Sequence, residues 1–246
     1  GYTCGAYLGG SLKEAIPYCT MPFGPEPHVM LGWLYEGNGT KLWEKFYQDA
    51  GYNVKVWPLA IYANEGAGWF TKKIEKVEDW EGTKIRIGGF AGGTVTKLGA
   101  IPTLIPFGEI FPGLEKGVID AAPWTTIGIT DLKWNKFLNY MVEPSFYSTD
   151  LGIIVNLDRW NSLTDEAKDV LQTVAIEWEQ KSHDERQADV AKYKAAYTES
   201  GMKFVNHSGA GGANYLKLAY DSVWARATER MTDKGNAEDV AKLRSL

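Results

Sequence analysis

The sequence has little of what marks several common classes of protein. Its three histidines are scattered without zinc-binding spacing, and it contains neither a P-loop nor a GxSxG turn. No apolar run reaches the roughly eighteen residues that a membrane-spanning helix needs. The net charge of −5 has the wrong sign for nucleic acid or an anionic membrane as the main partner. These absences make an enzyme the weaker hypothesis and argue against a membrane-spanning or nucleic-acid-binding protein.

Cysteine is also scarce, with Cys4 and Cys19 the only two in the chain. In an oxidising compartment they would close a short loop, whereas as reduced thiols they would pack as small buried apolar side chains. The sequence leaves both states open. The chain begins at Gly1 with no signal peptide ahead of it, as expected of a processed or truncated product.

A regular alternation of short strands and helices is present in the middle of the chain. The stretches TKIRIGG, IPTLIP and GVIDAAPW are typical of strands, and GGTVTKLG and FGEIFPGLEKG of helices that end at glycine. Because these stretches alternate within residues 83–124, they predict parallel β-α-β units with right-handed crossovers. In sheets of this kind, ligands bind beyond the carboxyl ends of the strands.

Arg86 lies close to one of these strand ends. It stands between Ile85 and Ile87, ahead of a glycine cluster, and strand alternation places it on the face opposite the two isoleucines. A helix beginning near Gly92 would turn its free N–H groups toward a bound anion. From the residues alone two interpretations stay open: an arginine that binds an anion, or an ion pair with a carboxylate such as Asp120.

The last third of the chain is predicted to be helical. Residues 161–201 form one long segment that opens with a capping box of Ser162 and Asp165 and carries an apolar stripe from Ala167 to Trp178. A second helix is predicted over residues 213–235, and its interleaved charges indicate a solvated face.

Four blocks of the sequence resemble a known family. MPFGPEPHVMLGWLYEGNGTKLWEKFY, GAGWFTKKIEKVEDWEGTKIRIGGFAGGTVTKLGAIP, GEIFPGLEKGVIDAAPW and VNLDRWNSLTDEAKDVLQTVA stand in the family's order. They are similar to the periplasmic solute-binding subunits of tripartite ATP-independent (TRAP) transporters. Within that family the likeness is greatest to the branch that binds 2-oxo and 2-hydroxy monocarboxylates such as pyruvate or lactate.

The resemblance implies an α/β, two-lobed fold like that of periplasmic binding proteins. It has parallel-rich sheets, crossing strands and a long bridging helix, and the N-terminal part of lobe I is absent from this chain. The implied domains are residues 1–63 as part of lobe I, 64–149 as lobe II, 150–205 as a crossing strand and long helix on the lobe I side, and 206–246 as a C-terminal helical segment on lobe II.

The resemblance also implies a function. A periplasmic protein of this kind captures a small organic acid between two closing lobes and delivers it to the TRAP membrane subunits, without catalysis and without binding nucleic acid. Two alternatives stay open, a periplasmic sensor module built on the same fold and, less favoured, an enzyme on this scaffold. A homodimer also stays open, because some relatives pair through extended C-terminal helices.

Functional residues are carried over by position. Arg86, in KIR, matches the family's carboxylate-binding arginine, whose two parallel N–H donors suit a carboxylate. Trp124 matches a wall of the ligand pocket. Other expected ligand contacts are Tyr7, Phe146 and Tyr147, each with plain core packing as its alternative, and Glu65, whose alternative is a surface carboxylate on the hinge side.

A cation that bridges to the ligand is a further implication of the resemblance. In the pyruvate-binding branch, a glutamine at the position of Glu65 and a glutamate at the position of Pro123 help to hold it. Here the candidate metal residues are Glu65, Trp124 and Asp150, for Na⁺ or Ca²⁺. Because Pro123 removes one carboxylate oxygen donor, a changed ligand and a retained cation are both open.

Overall fold

The chain passes three times between two units. Unit 1 comprises Gly1–Glu65 and Tyr147–Ala195, and unit 2 comprises Gly66–Phe146 and Ala196–Leu246. The structure is a computed structural model that describes residues 1–8, 11–12, 23–24, 27–61, 68–87, 89–147, 149–207 and 209–232. Each unit is therefore assembled from two separate stretches of sequence.

Nine strands and seven α-helices form the described part of the chain. The strands are β1 (Tyr2–Thr3), β2 (Val54–Ile61), β3 (Gly68–Phe70), β4 (Lys84–Ile85), β5 (Ile101–Pro102), β6 (Ala121–Ala122), β7 (Tyr140–Glu143), β8 (Asp150–Asn156) and β9 (Lys203–Asn206). The helices are α1 (Pro27–Tyr35), α2 (Gly39–Asp49), α3 (Gly89–Lys97), α4 (Ile110–Glu115), α5 (Leu157–Asn161), α6 (Asp165–Glu199) and α7 (Gly209–Thr232). Within the described residues, no helix combines the length and the apolar character that crossing a membrane requires.

Unit 1 contains a three-stranded antiparallel sheet in the order β1-β8-β2. Helix α2 packs on this sheet because Gly39, Trp43 and Tyr47, spaced four apart, form one buried face of the helix. Together with Leu34 of α1 and Val56 of β2 they form the core of the unit. Cys4, at the end of β1, is buried and disulfide-bonded, whereas Cys19 lies outside the described residues.

Close packing of Trp43 requires a glycine at position 152. A Cβ atom on Gly152 would lie 2.3 Å from Cη2 of the Trp43 ring, which is far inside van der Waals contact. We expect Gly152→Ala to lower the free energy of unfolding by about 1–3 kcal/mol through overpacking. Chemical denaturation measures this loss. The control is Gly32→Ala in α1, where a Cβ meets no atom within 4 Å and alanine favours the helix. Wild-type stability for Gly152→Ala would contradict this packing.

Unit 2 contains a six-stranded mixed sheet in the order β5-β4-β6-β3-β7-β9. Strand β4 pairs in parallel with β5 and β6, and β7 pairs in parallel with β9. The predicted β-α-β-α-β order over residues 83–124 is therefore confirmed, although each of its strands is only two residues long. Strand β3 was not predicted, and it pairs antiparallel with β6 and β7.

Helices α3 and α7 pack against each other in unit 2 at Gly93. A Cβ there would lie 2.4 Å from Nη1 of Arg226, so the glycine makes room for the arginine side chain. In the core, the ring of Trp80 lies 5.0 Å from Phe70 in an edge-on contact and stacks on Tyr215 at 6.0 Å. These aromatic contacts join the sheet to α7.

The start of α6 differs from the prediction. Helix α6 begins at Asp165, and the backbone N–H of Ala167 donates to Oγ1 of Thr164 at 3.2 Å. Ser162 instead ends α5, where its hydroxyl donates to the carbonyl of Arg159. The prediction that Ser162 and Asp165 form a capping box is therefore wrong. The apolar stripe of α6 does not form a buried face in the structure. Its large side chains are exposed: Val170, Leu171, Val174 and Trp178.

Candidate functional site

Three parallel strands of unit 2 end at the same edge of the sheet. Strands β4, β5 and β6 are neighbours and run in one direction, so the segments that follow them lie together. Arg86 directly follows β4, and Trp124 comes two residues after β6. The segment after β5 leads through Ile105 to Phe107. This edge of unit 2 is the candidate site.

Arg86 is held at this edge by its neighbours. Its backbone N–H donates to the carbonyl of Ala121 at 2.8 Å, which continues the pairing of β4 with β6. Its side-chain Nε–H donates to the carbonyl of Ile105 at 3.3 Å, and the residue is half-buried. A guanidinium has four more N–H donors beyond Nε–H, which suits it to a carboxylate.

Asp120, the alternative partner of Arg86, has another role. Its Oδ2 accepts the backbone N–H of Lys84 at 3.0 Å, at the start of β4 rather than at its end. Lys84 in turn extends its ammonium to the carbonyl of Gly117 at 2.8 Å. Asp120 therefore stabilises the opposite end of the strand from Arg86, and the role of Arg86 stays a prediction.

A cluster of three aromatic rings completes the candidate site. The ring of Trp124 lies 5.2 Å from Phe107 at an interplanar angle of 31° and 5.2 Å from Trp134 at 68°. The carbonyl of Trp124 accepts the indole N–H of Trp69 at 3.3 Å, and Trp69 is itself fully buried. These contacts fix Trp124 beside the strand ends. Phe107 was not predicted as a site residue, and its position just after a β-α-β strand was the signal for it.

Helix α3 also begins at this edge. It starts at Gly89, three residues earlier than the predicted position near Gly92, so its N-terminus directly follows the Arg86 segment. The free N–H groups of a helix N-terminus favour an anion, in agreement with the charge of Arg86.

Four further ligand residues were predicted: Phe146, Tyr7, Tyr147 and Glu65. Phe146 belongs to unit 2 and is buried against Tyr215, with ring centroids 6.0 Å apart. Tyr7 and Tyr147 belong to unit 1, where Tyr7 is 74 % exposed in a short 3₁₀ helix and Tyr147 is buried. Glu65 lies outside the described residues. Of the predicted set, the structure brings Arg86 and Trp124 to one edge, and the roles of the others stay predictions.

Unit 1 holds a buried pair of acidic side chains that the sequence did not predict as a pair. Asp150 on β8 is 4 % exposed and Glu179 on α6 is 1 % exposed. Burial raises the pKa of Asp150 to about 7, and repulsion from Glu179 adds to this increase. Burial likewise raises the pKa of Glu179 to about 7, although the Tyr35 hydroxyl that donates to its Oε2 opposes the increase. The pair therefore titrates close to neutral pH.

The described residues contain no cluster of the side chains that most often bind metal ions. In the parts of the chain that the structure describes, no three His, Cys, Asp or Glu side chains lie close enough together to hold a metal ion. Of the predicted metal residues, Trp124 belongs to unit 2, Asp150 belongs to unit 1, and Glu65 lies outside the described residues. The metal roles of Glu65, Trp124 and Asp150 stay predictions.

The fold defines a class of protein. The chain is similar to two solved TRAP periplasmic solute-binding proteins, each 25 % identical to it. The protein from Pseudoalteromonas atlantica superposes on 98 % of this chain with a TM-score of 0.79. The protein from Colwellia psychrerythraea superposes on 100 % of this chain with a TM-score of 0.78. The chain covers 73 % and 76 % of those proteins. The first was crystallised with sodium and pyruvate and the second with calcium and pyruvate. The chain thus has the fold of a solute-binding protein.

Sequence comparison then gives the family. The chain belongs to the bacterial extracellular solute-binding proteins, family 7 (DctP), whose family model matches residues 2–229. It is 34 % identical over 183 residues to a monocarboxylate 2-oxoacid-binding periplasmic protein of Nostoc sp.. That match covers 72 % of this chain but 49 % of the Nostoc protein, so the chain spans about half the length of that relative. The predicted family and fold class are confirmed.

Proposed function

We propose that this chain is the ligand-binding part of a periplasmic solute-binding protein that captures a small 2-oxo monocarboxylate and delivers it to TRAP membrane subunits. The observation that carries the proposal is Arg86, oriented by the carbonyl of Ile105 beside Trp124 at the ends of three parallel strands. The family supports the solute-binding role, and the Nostoc relative and the two pyruvate-bound structures support this ligand class.

On this proposal the protein binds its ligand without transforming it. Arg86 binds the carboxylate through paired N–H donors, and the aromatic rings around Trp124 contact the remainder of the acid. Closure of the two lobes on the ligand, which the family resemblance implies, stays a prediction. So does pairing into a homodimer.

Thermal melting of the chain with pyruvate tests this function. At 1,000 times its dissociation constant a ligand adds about 4 kcal/mol of stability, which raises the melting temperature by several degrees. Methyl pyruvate, which lacks the negative charge, is the matched control and is expected to leave the melting temperature unchanged. Parallel series with Na⁺, with Ca²⁺ and with chelator report whether a cation takes part. If neither pyruvate nor other small carboxylates shift the melting temperature, the proposal is wrong.

A further inference from the structure

We propose that Phe107 is a specificity-determining residue, and that it makes the site prefer 2-oxo monocarboxylates with a flat aromatic substituent over pyruvate. This inference rests on the proposed function, because it concerns the same site. On this inference Arg86 binds the carboxylate, and Phe107 and Trp124 contact the rest of the ligand.

Exposure distinguishes Phe107 from the rings around it. Phe107 is 49 % exposed, whereas Trp134, in contact with it, is 2 % exposed. Trp134 serves the core, and Phe107 offers its free face to solvent at the edge where the three parallel strands end. An exposed aromatic ring at a ligand-binding edge is apolar area that a ligand can cover.

The position of Phe107 relative to Arg86 suits a single small ligand. The carbonyl that accepts the Arg86 Nε–H belongs to Ile105, two residues before Phe107. Two residues of extended chain span at most about 7 Å. The backbone of Phe107 therefore lies close to the carbonyl that Arg86 contacts, which places both residues in the same part of this edge.

The ring is also fixed in place before any ligand arrives. Its centroid lies 5.2 Å from that of Trp124 and 5.9 Å from that of Trp134, at interplanar angles of 31° and 50°. Contacts with two tryptophans restrict the side chain, so a ligand pays little ordering cost on meeting it. A planar substituent gains both buried area and ring–ring contact here. The methyl group of pyruvate covers only a small part of the same surface.

Calorimetry with a matched pair of ligands tests this specificity. Pyruvate and 2-oxo-2-phenylacetate share the 2-oxo carboxylate and differ only in methyl against phenyl. The wild-type chain is expected to bind the phenyl acid at least about tenfold more tightly. Phe107→Ala is expected to bring the two affinities within about threefold of each other, mainly by weakening the phenyl acid, and Phe107→Leu to lie between.

A control variant and the alternative outcomes complete the test. Ile101→Ala removes an exposed apolar side chain at the start of β5, the opposite end of that strand, and is expected to keep the wild-type preference. Melting temperatures confirm that each variant is folded. If the wild-type chain binds pyruvate as tightly as the phenyl acid, or if Phe107→Ala keeps the preference, the role of Phe107 is overturned while the proposed function stands. If neither acid binds, the role of Phe107 is overturned, and if no other small carboxylate binds either, the proposed function is overturned as well.

Discussion

Arg86→Ala is expected to weaken the binding of 2-oxo carboxylates by roughly 100- to 3,000-fold. Removing one partner of a buried charge pair costs about 3–5 kcal/mol, which corresponds to that range of affinity. Arg86 is already half-buried, and a ligand that covers it would complete the burial of the charge pair. Isothermal calorimetry with pyruvate and 2-oxo-2-phenylacetate measures the loss.

Two further variants separate the geometry of Arg86 from its charge. Arg86→Lys keeps the charge but has one ammonium in place of the planar fork, so its affinity is expected to stay close to that of Arg86→Ala. Lys84→Ala removes a cation from the other end of the same strand, where its Nζ contacts Gly117, and is expected to bind like the wild-type chain. A folded Arg86→Ala variant with wild-type affinity would remove Arg86 from the site.

The second large effect expected is a loss of stability between about pH 4 and pH 7 that originates in Asp150 and Glu179. Both carboxyl groups have a pKa of about 7 in the folded chain, against ordinary values of 3.8 and 4.5. In this window the folded state holds protons that the unfolded state has released. The free energy of unfolding therefore falls as the pH rises, and above about pH 7 the contribution of the pair is constant. For either group alone the change is on the order of 3–4 kcal/mol.

Glu179→Gln isolates this contribution from that of the other carboxylates. Its amide oxygen can still accept the Tyr35 hydroxyl, but the side chain no longer titrates. Denaturation at pH 5 and at pH 8 is expected to show the variant more stable than the wild-type chain at pH 8 and closer to it at pH 5. Glu177→Gln, exposed two residues earlier on α6, is the control and is expected to keep the wild-type pH dependence. The same pH dependence in all three proteins would show that the pair does not titrate as described.

Local signals in the sequence were sufficient for the β-α-β-α-β segment of unit 2. Glycines end the predicted helices because Gly99 and Gly117 have φ values of +93° and +67°, which other residues rarely adopt. Apolar runs between such glycines predict the strands, and the parallel order then places Arg86 at a strand end. Phe107 directly follows the predicted strand IPTLIP, so the same reasoning could have reached it, but its contact with Trp124 depends on the folded chain.

Other features depend on contacts between distant parts of the chain. Strand β3 has three residues, too few for a periodic pattern, and is defined by its pairing with β6 and β7. In the sequence, neither Asp150 nor Glu179 has a neighbour that marks it as unusual. Their raised pKa values come from burial in the folded chain. Ser162 and Thr164 are chemically similar caps, and the end of α5 at Ser162 leaves Thr164 to begin α6.

The interleaving of the two units bears on the order in which a ribosome can complete them. Ile61 of β2 pairs with Asp150 of β8, so the main strand pair of unit 1 forms only after most of unit 2 has been synthesised. The sheet of unit 2 is in turn complete only after β9 has been synthesised, because β9 pairs with β7 and follows the 35 residues of α6. A nascent chain that ends near residue 146 therefore carries unpaired strand edges from both units, the state most exposed to aggregation. Neither unit can be produced as a contiguous fragment; isolating one requires joining its two stretches of sequence by a new linker.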